Sequence, residues 1–271
     1  AWARPSLLVR RQSACQSSPH GQGLALGTRA DLSSGVPEPF EIPSRMRELA
    51  RQAKKSGTRD DPAIRKCIEN WGSLQGCRPD QLTSLACSLA SLRWGQVEAW
   101  KTLGDVVRHD LAKFQPGDAI HVAAAFSVAS QRHPEMMLAM CQKLKEQRHL
   151  VGSERWADFI ISLRRVGTQD VELLHVALKA MTAQPPQLRV YAAVSVINAL
   201  SELRAPKGEL FRALAVTLEL QVHELGPWAL ETVAWNYAAA ACVERSVFQA
   251  ISTSTRCKLA QMTSGQIASM L

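Results

Sequence analysis

Arginines recur where this sequence leaves one predicted helix and enters the next. Five of them follow apolar or alanine-rich stretches: Arg93, Arg132, Arg165, Arg204 and Arg245. If the helices they follow lie side by side, these guanidinium groups line one edge about 10 Å apart, a usual spacing of packed helices. Such a row suits the phosphates of a nucleic-acid backbone. The alternative is that the arginines only complement the helix dipole at helix C-termini.

A second basic cluster surrounds a predicted boundary between two helices. Acidic residues are interspersed with the basic ones, at Glu146, Glu154 and Asp158. Two interpretations therefore stay open, an RNA-binding patch and a solvated face of mixed charge. The candidate phosphate ligands in this cluster are Lys143, Lys145, Arg148, Arg164 and Arg165, with His149 and Arg155 beside them.

Tryptophans offer a second way to hold nucleic acid, because indole rings stack on bases. Trp235 lies in the apolar run VAWNYAAAA, so we expect it in the core. Trp94 and Trp100 lie next to Arg93 near a predicted loop, and they are the better candidates for exposure. The full set is Trp71, Trp94, Trp100, Trp156, Trp228 and Trp235.

No motif for catalysis, cofactor binding or metal binding is present in the sequence. It lacks a G-x-S-x-G, a P-loop, an H-E-x-x-H, a dinucleotide fingerprint and any C-x-x-C pair. Asp158 is an odd acid in an apolar helix, and we expect it to pair with Arg155 or Arg189. Cys87, Cys141 and Cys242 are predicted to be buried on helical faces. We predict a non-enzyme without cofactor or metal.

The elements that carry these residues follow a period of about 37 residues. Motifs in the second helix of each unit are centred on Leu138, Leu174, Phe211 and Phe248, which lie 36, 37 and 37 residues apart. First-helix anchors at Leu89, Phe126, Leu163, Val196 and Tyr237 are spaced by 37, 37, 33 and 41 residues, which predicts slack in the loops. A fixed period of this length is typical of stacked repeat proteins.

The period and the composition together predict an all-α protein, an α-solenoid of stacked two-helix repeats. Apolar residues make up 46% of the 271, aromatics only 6%, and alanines in the first helices allow close packing. We expect capping helices in 45–78, the first from about Ser44, and a repeat array in 79–271. Its predicted units lie near 79–115, 116–151, 152–184, 185–225 and 226–261, with a partial unit at 262–271.

The N-terminal segment differs from the body. Residues 1–60 hold 10 Lys and Arg against 5 Asp and Glu, whereas the rest holds 22 against 19, within a total charge of +8. Residues 1–44 resemble an Arg-rich transit peptide followed by a linker rich in Pro, Gly and Ser, with a basic tail or arm as the alternative. No stretch reaches the ~20 apolar residues of a membrane span.

The units resemble the helical repeats of the heptatricopeptide and octotricopeptide families, which accompany the RAP domain in organellar proteins. GPWALETVAWNYAAAA followed by SVFQAIS is the best copy, and PDQLTSLACSLASL and PGDAIHVAAAFSVAS are good ones. The resemblance covers roughly residues 79–271, without a visible RAP domain. It implies an organellar RNA-binding protein, and some members of these families are built into mitochondrial ribosomes.

Two functions follow as expectations. The first is a mitochondrial, or alternatively plastid, RNA-binding protein, either associated with the ribosome or acting in RNA processing or stability. Its arginines would contact phosphates of rRNA or mRNA, and polar first-helix residues such as Ser84, His121 and Asn198 would face bases. The second is a non-catalytic scaffold subunit of a large organellar complex, such as a respiratory or ATP-synthase assembly. The weak charge of the body and an open C-terminal repeat as a protein interface favour it.

Overall fold

The chain is all-α. The structure, a computed structural model, describes residues 42–56, 62–69, 74, 76–204 and 208–270. Thirteen α-helices and no strand lie in these ranges. The odd-numbered helices are α1 (Ile42–Ser56), α3 (Pro79–Leu92), α5 (Pro116–Val128), α7 (Ser153–Val166), α9 (Val190–Glu202), α11 (Pro227–Ala239) and α13 (Ser264–Met270). The even-numbered helices are α2 (Pro62–Glu69), α4 (Val97–His109), α6 (Pro134–Glu146), α8 (Val171–Ala183), α10 (Gly208–Gln221) and α12 (Arg245–Lys258).

The helices begin at equal intervals along the chain. Pro79, Pro116 and Ser153 each start an odd helix and are 37 residues apart, and the same interval leads on to α9, α11 and α13. Helix α1 starts 37 residues before Pro79. The even helices from α4 to α12 begin at the same interval, the first two at Val97 and Pro134. The loops between the described helices therefore do not vary in the way that the first-helix anchors predict.

Contacts between helices alternate in the same way. Each odd helix packs against the next odd helix, from α1 on α3 to α11 on α13. Each even helix from α4 to α12 packs against its even neighbours. Small residues on the odd helices, such as Ala86, Ala123 and Ala193, are fully buried, which permits close approach of the helix axes. One continuous apolar core results, with side chains from both sets of helices.

A left-handed residue ends each of five odd helices. These residues have φ between +50° and +80° and are again 37 residues apart: Arg93, Ser130, Gly167, Arg204 and Ala241. In the turns after α3, α5, α7 and α11 the next amide donates to a carbonyl five residues back, as Trp94 N does to Leu89 O at 3.0 Å. This is the Schellman arrangement, in which glycine is the usual left-handed residue. The turns therefore fix where each even helix starts.

Two of the anchors predicted from the sequence are wrong by register. Leu138 is 55% exposed, and the fully buried Met137 lies 37 residues before Leu174 instead. On α9, the residue 37 after Leu163 is the buried Leu200 rather than Val196. In both places the local run is apolar on several consecutive residues, so the sequence alone does not fix which one points to the neighbouring helix.

Helix boundaries follow the predicted caps in most places. Helices α3, α5 and α11 begin at Pro79, Pro116 and Pro227, as a proline in the first turn predicts. Helix α9 begins at Val190, five residues after the predicted start of its unit at 185, and its first amide donates to Gln221 Oε1 at 3.2 Å. Ser44 lies inside α1. The predicted arm before Ile42, Asp61 and Trp71 lie outside the described residues.

The predicted core cysteines differ in their surroundings. Cys141 on α6 is buried, and burial raises the pKa of its thiol to about 12. Cys242 is also buried but lies after α11 rather than on a helical face, and Cys87 is only half-buried. Within the described ranges, no helix is both long enough and apolar enough to cross a membrane.

Candidate nucleic-acid interface

The turns between each odd helix and the following even helix lie next to one another. The guanidinium of Arg132, in the turn after α5, lies 4.0 Å from where a Cβ on Gly167 would stand in the turn after α7. Cys242 Sγ, in the turn after α11, lies 4.0 Å from the carbonyl oxygen of Gly208, at the start of α10. We call the described residues of these turns, in 93–96, 130–133, 167–170, 204 and 241–244, the hairpin edge.

Arg93 and Arg204 occupy equivalent positions on the hairpin edge. Each is the left-handed residue of its turn, with φ of +52° and +54°, and each side chain is exposed. Within the described part of the chain, no carboxylate is paired with either guanidinium. Both arginines are therefore available to an external anion.

The other three arginines of the predicted row are exposed at different places in their turns. Arg165 is in the last turn of α7, Arg132 precedes the N-cap of α6, and Arg245 is the first residue of α12. The row is therefore not evenly spaced. A cation at the first position of a helix opposes the helix dipole, so dipole capping does not account for Arg245.

Three residues of the second predicted cluster are engaged within the protein. Lys143 is buried and donates to Ala112 O at 3.4 Å. Lys145 pairs with Asp170 and Glu172 at 3.4 and 2.9 Å.

Arg164 donates two hydrogen bonds to Glu202, at 2.6 and 2.7 Å, which joins α7 to α9. The geometry thus removes Lys143, Lys145 and Arg164 from the candidate phosphate ligands, because their charges already serve internal contacts.

The remaining members of that cluster lie away from the hairpin edge. Arg148 and His149 are exposed on the short 3₁₀ turn between α6 and α7. Asp158 lies 3.8 Å from Arg155, which confirms one of the two partners expected for it. Arg155 also contacts His121 Nε2, and burial together with this guanidinium lowers the pKa of His121.

The structure ranks the tryptophans differently from the sequence. Trp100, one of the two better candidates for exposure, is 1% exposed, and its Nε1 donates to Trp94 O at 2.7 Å. Trp94 itself is half-buried against the core. Trp235, predicted to be in the core, is 54% exposed, and Trp228 is 40% exposed. Helix α11 is apolar on nearly all faces, so its sequence does not show which face is open.

Two of the polar first-helix residues expected to face bases are held by neighbours. Ser84 accepts hydrogen bonds from Arg47 at 2.8 and 2.6 Å. Asn198 Nδ2 donates to Glu202 Oε1 at 3.2 Å. These contacts link one odd helix to the next or stay within one helix, so they contribute first to packing.

Comparisons with known proteins do not assign the chain to a family. No protein-family model matches the chain, and no curated protein matches its sequence. In the ranges that the structure describes, no group of three or more His, Cys, Asp or Glu side chains is placed to hold a metal ion.

Proposed function

We propose that this all-α body is an α-solenoid of two-helix repeats that binds RNA along its hairpin edge. Equal 37-residue intervals between helix starts and the packing of each odd helix on the next support the repeat architecture. The intervals divide the body into units that start at Pro79, Pro116, Ser153, Val190 and Pro227. Helices α1 and α2 occupy the interval before Pro79, where capping helices are expected.

The observation that carries the RNA proposal is that Arg93 and Arg204 are exposed at left-handed positions and pair with no carboxylate among the described residues. An arginine at such a position is carried by a hydrogen-bonded turn, so the backbone of the turn is already ordered before an anion binds. Arg132 and Arg245 add cations along the same edge. The acids of the edge, Asp170 and Glu244, are paired with Lys145 and Arg212, and Glu202 beside it is paired with Arg164. The arginines of the edge therefore supply its uncompensated charge, although the body as a whole is nearly neutral.

The biological setting of the proposal rests on resemblance. The repeats resemble those of organellar RNA-binding proteins, and the basic segment in 1–44 resembles a transit peptide. We therefore place the protein in the mitochondrion, with a plastid as the alternative. There it would contact rRNA or mRNA as a ribosome-associated subunit or as an RNA-processing or stability factor.

Charge reversal on the hairpin edge tests the proposal. The full chain and the triple variant Arg93→Glu, Arg132→Glu and Arg204→Glu are compared for binding to labelled RNA by fluorescence anisotropy over a range of salt concentrations. A control variant carries Arg148→Glu and Arg256→Glu, two exposed arginines that follow or end even helices, away from this edge. We expect loss of binding and an unchanged circular dichroism spectrum in the triple variant only. Equal affinity of all three proteins would refute the proposal.

A non-catalytic scaffold is the second candidate function. The observation that favours it is the pair Val216 and Leu220, four residues apart on the outer face of α10 and 62% and 69% exposed. Exposed apolar neighbours on one helix face suit a protein partner. Sedimentation of the native protein from organelles after RNase treatment distinguishes the two candidates. A scaffold stays in its large complex, and an RNA-bound protein is released.

A further inference from the structure

Three aromatic rings lie exposed on the odd helices at the C-terminal end of the body. Trp228 and Trp235 are seven residues apart on α11, which places them on one helix face about 10 Å apart. Tyr191 on α9 is 40% exposed. By contrast, Trp100 and Trp156 are fully buried. We call Tyr191, Trp228 and Trp235 the aromatic face.

Tyr191 is fixed in its orientation by its hydroxyl group. The hydroxyl donates to Glu224 O at 3.0 Å and accepts from Gly226 N at 3.2 Å. These residues lie in the turn that leads into α11, so the ring is held beside the start of that helix. Because the polar end of the tyrosine is satisfied within the protein, the ring itself remains for contact with a ligand.

Hydroxyl groups lie between the rings. Ser195 donates to Tyr191 O and Thr232 donates to Trp228 O, each at 2.8 Å. One carboxylate, Glu231, also lies between the two indoles on α11 and accepts a hydrogen bond from Ser269 Oγ at 2.7 Å. The aromatic face therefore combines flat apolar rings with hydroxyl groups that can hydrogen-bond to a base.

Trp235 lies near the end of α11 that leads into the hairpin edge. It is four residues, or about 6 Å along the helix, before Ala239, where α11 ends. Ala238 and Ala239 are exposed and small, so they leave the indole accessible. Arg245 follows in the same turn region. Aromatic rings beside a basic groove are the arrangement that holds single-stranded nucleic acid, with the backbone on the cations and the bases on the rings.

We infer that Trp235 and Trp228 stack on unpaired bases, so the RNA taken by this protein is single-stranded and passes from the hairpin edge onto α11. The inference rests on the proposed RNA function and names its substrate class. A base inside a duplex is already stacked on both sides and does not reach these rings. Neutral rings add affinity without releasing counterions, so their loss lowers affinity at every salt concentration and leaves the salt dependence unchanged.

The test compares Trp235→Leu with Trp235→Phe in the full chain. Binding of labelled polyuridine and of a duplex RNA of equal length is measured by anisotropy. We expect Trp235→Leu to weaken polyuridine binding roughly tenfold, a typical loss for one stacked base. Trp235→Phe retains most of the affinity, and neither variant changes the salt slope or the weaker binding of the duplex. Leu220→Ala is the control for loss of an exposed apolar side chain elsewhere.

The outcomes separate this inference from the proposed function. If Trp235→Leu binds polyuridine as the native chain does, or if the native chain prefers duplex RNA, the aromatic face is not a base platform. The hairpin-edge proposal then still stands if charge reversal there abolishes binding. If the native chain binds neither RNA, both proposals fail. Release of a co-purifying protein by Trp235→Leu, with RNA binding intact, would assign the aromatic face to a protein partner and overturn the inference.

Discussion

Replacing Arg93 and Arg204 by glycine separates the stability of the hairpin edge from its function. Both residues have positive φ in turns where Gly167 has the equivalent position. Left-handed backbone costs an ordinary residue about 1–2 kcal/mol. Glycine avoids this cost, but its greater freedom in the unfolded chain lowers the free energy of unfolding by about 0.5–1 kcal/mol. Loss of a cation near a helix C-terminus costs about 0.3–1 kcal/mol more. Over the two sites these contributions nearly cancel, so the free energy of unfolding of the double variant should stay within about 2 kcal/mol of that of the native chain.

The same double variant should bind RNA more weakly. Each phosphate contact to single-stranded nucleic acid contributes about 0.7 to the slope of log K against log salt. Loss of two contacts lowers the slope by about 1.4, which corresponds to roughly 25-fold weaker binding at 0.1 M salt. Chemical denaturation gives the stability, and anisotropy titrations between about 50 and 200 mM salt give the slope.

Two control variants isolate the contributions of backbone and charge. The double variant Ser130→Gly and Ala241→Gly removes the strain of a non-glycine residue with positive φ in two equivalent turns, and it removes no charge. It should therefore stabilise the protein and leave RNA affinity unchanged. Arg148→Gln with Arg256→Gln removes two exposed cations away from the hairpin edge, so it should change the slope little. An unchanged slope in the double arginine variant would mean that these arginines only complement the helix dipole. A stability loss well above about 2 kcal/mol would refute the reasoning on the turns.

Two further predictions concern the core. A methyl group on Gly104 would overlap the buried ring of His133, so Gly104→Ala should destabilise the protein by about 1–3 kcal/mol. A methyl group on Gly117 meets no neighbour, so Gly117→Ala should change stability by less than about 1 kcal/mol. Thermal denaturation of both variants measures the difference. The exposed Cys257 should react with a thiol reagent at pH 8 within the native protein, whereas Cys141, with a pKa of about 12, should react only after unfolding. Equal reaction rates in a mass-spectrometric time course would contradict the burial of Cys141.

The helices themselves could be predicted from local signals in the sequence. Pro79, Pro116 and Pro227 mark helix starts because a proline fits the first helical turn and cannot donate within it. The start of α9 could not be found in this way. Its first amide is capped by Gln221, which is 31 residues away in the chain, so the signal exists only after folding.

The direction of side chains was harder to predict where a helix is apolar on several faces. Met137 and Leu138 are adjacent and both hydrophobic, and only packing against the neighbouring helices decides that Met137 is buried. The same holds for Trp235. Its helix is rich in alanine on several faces, so the sequence does not show that this ring lies outside the core. Its pattern differs from that of a surface helix, where one face is clearly polar.

Parts of the candidate site could be predicted, and parts could not. The position of arginines after the odd helices was visible, as was the pairing of Asp158 with Arg155. The internal use of Lys145 and Arg164 was not, because their partners Glu172 and Glu202 lie 27 and 38 residues further along the chain. The left-handed positions themselves are arginines rather than glycines at Arg93 and Arg204, so only their 37-residue phase with Gly167 could have indicated them.

Ultraviolet crosslinking of the native protein in isolated organelles, followed by mass spectrometry of RNA-linked peptides, tests the central claim most directly. The account predicts crosslinked peptides that contain Arg93, Arg132 or the α11 segment around Trp235, and none from the outer face of α10. Crosslinks confined to that outer face, or a protein that carries no RNA while sedimenting in a large complex, would contradict RNA binding along the hairpin edge.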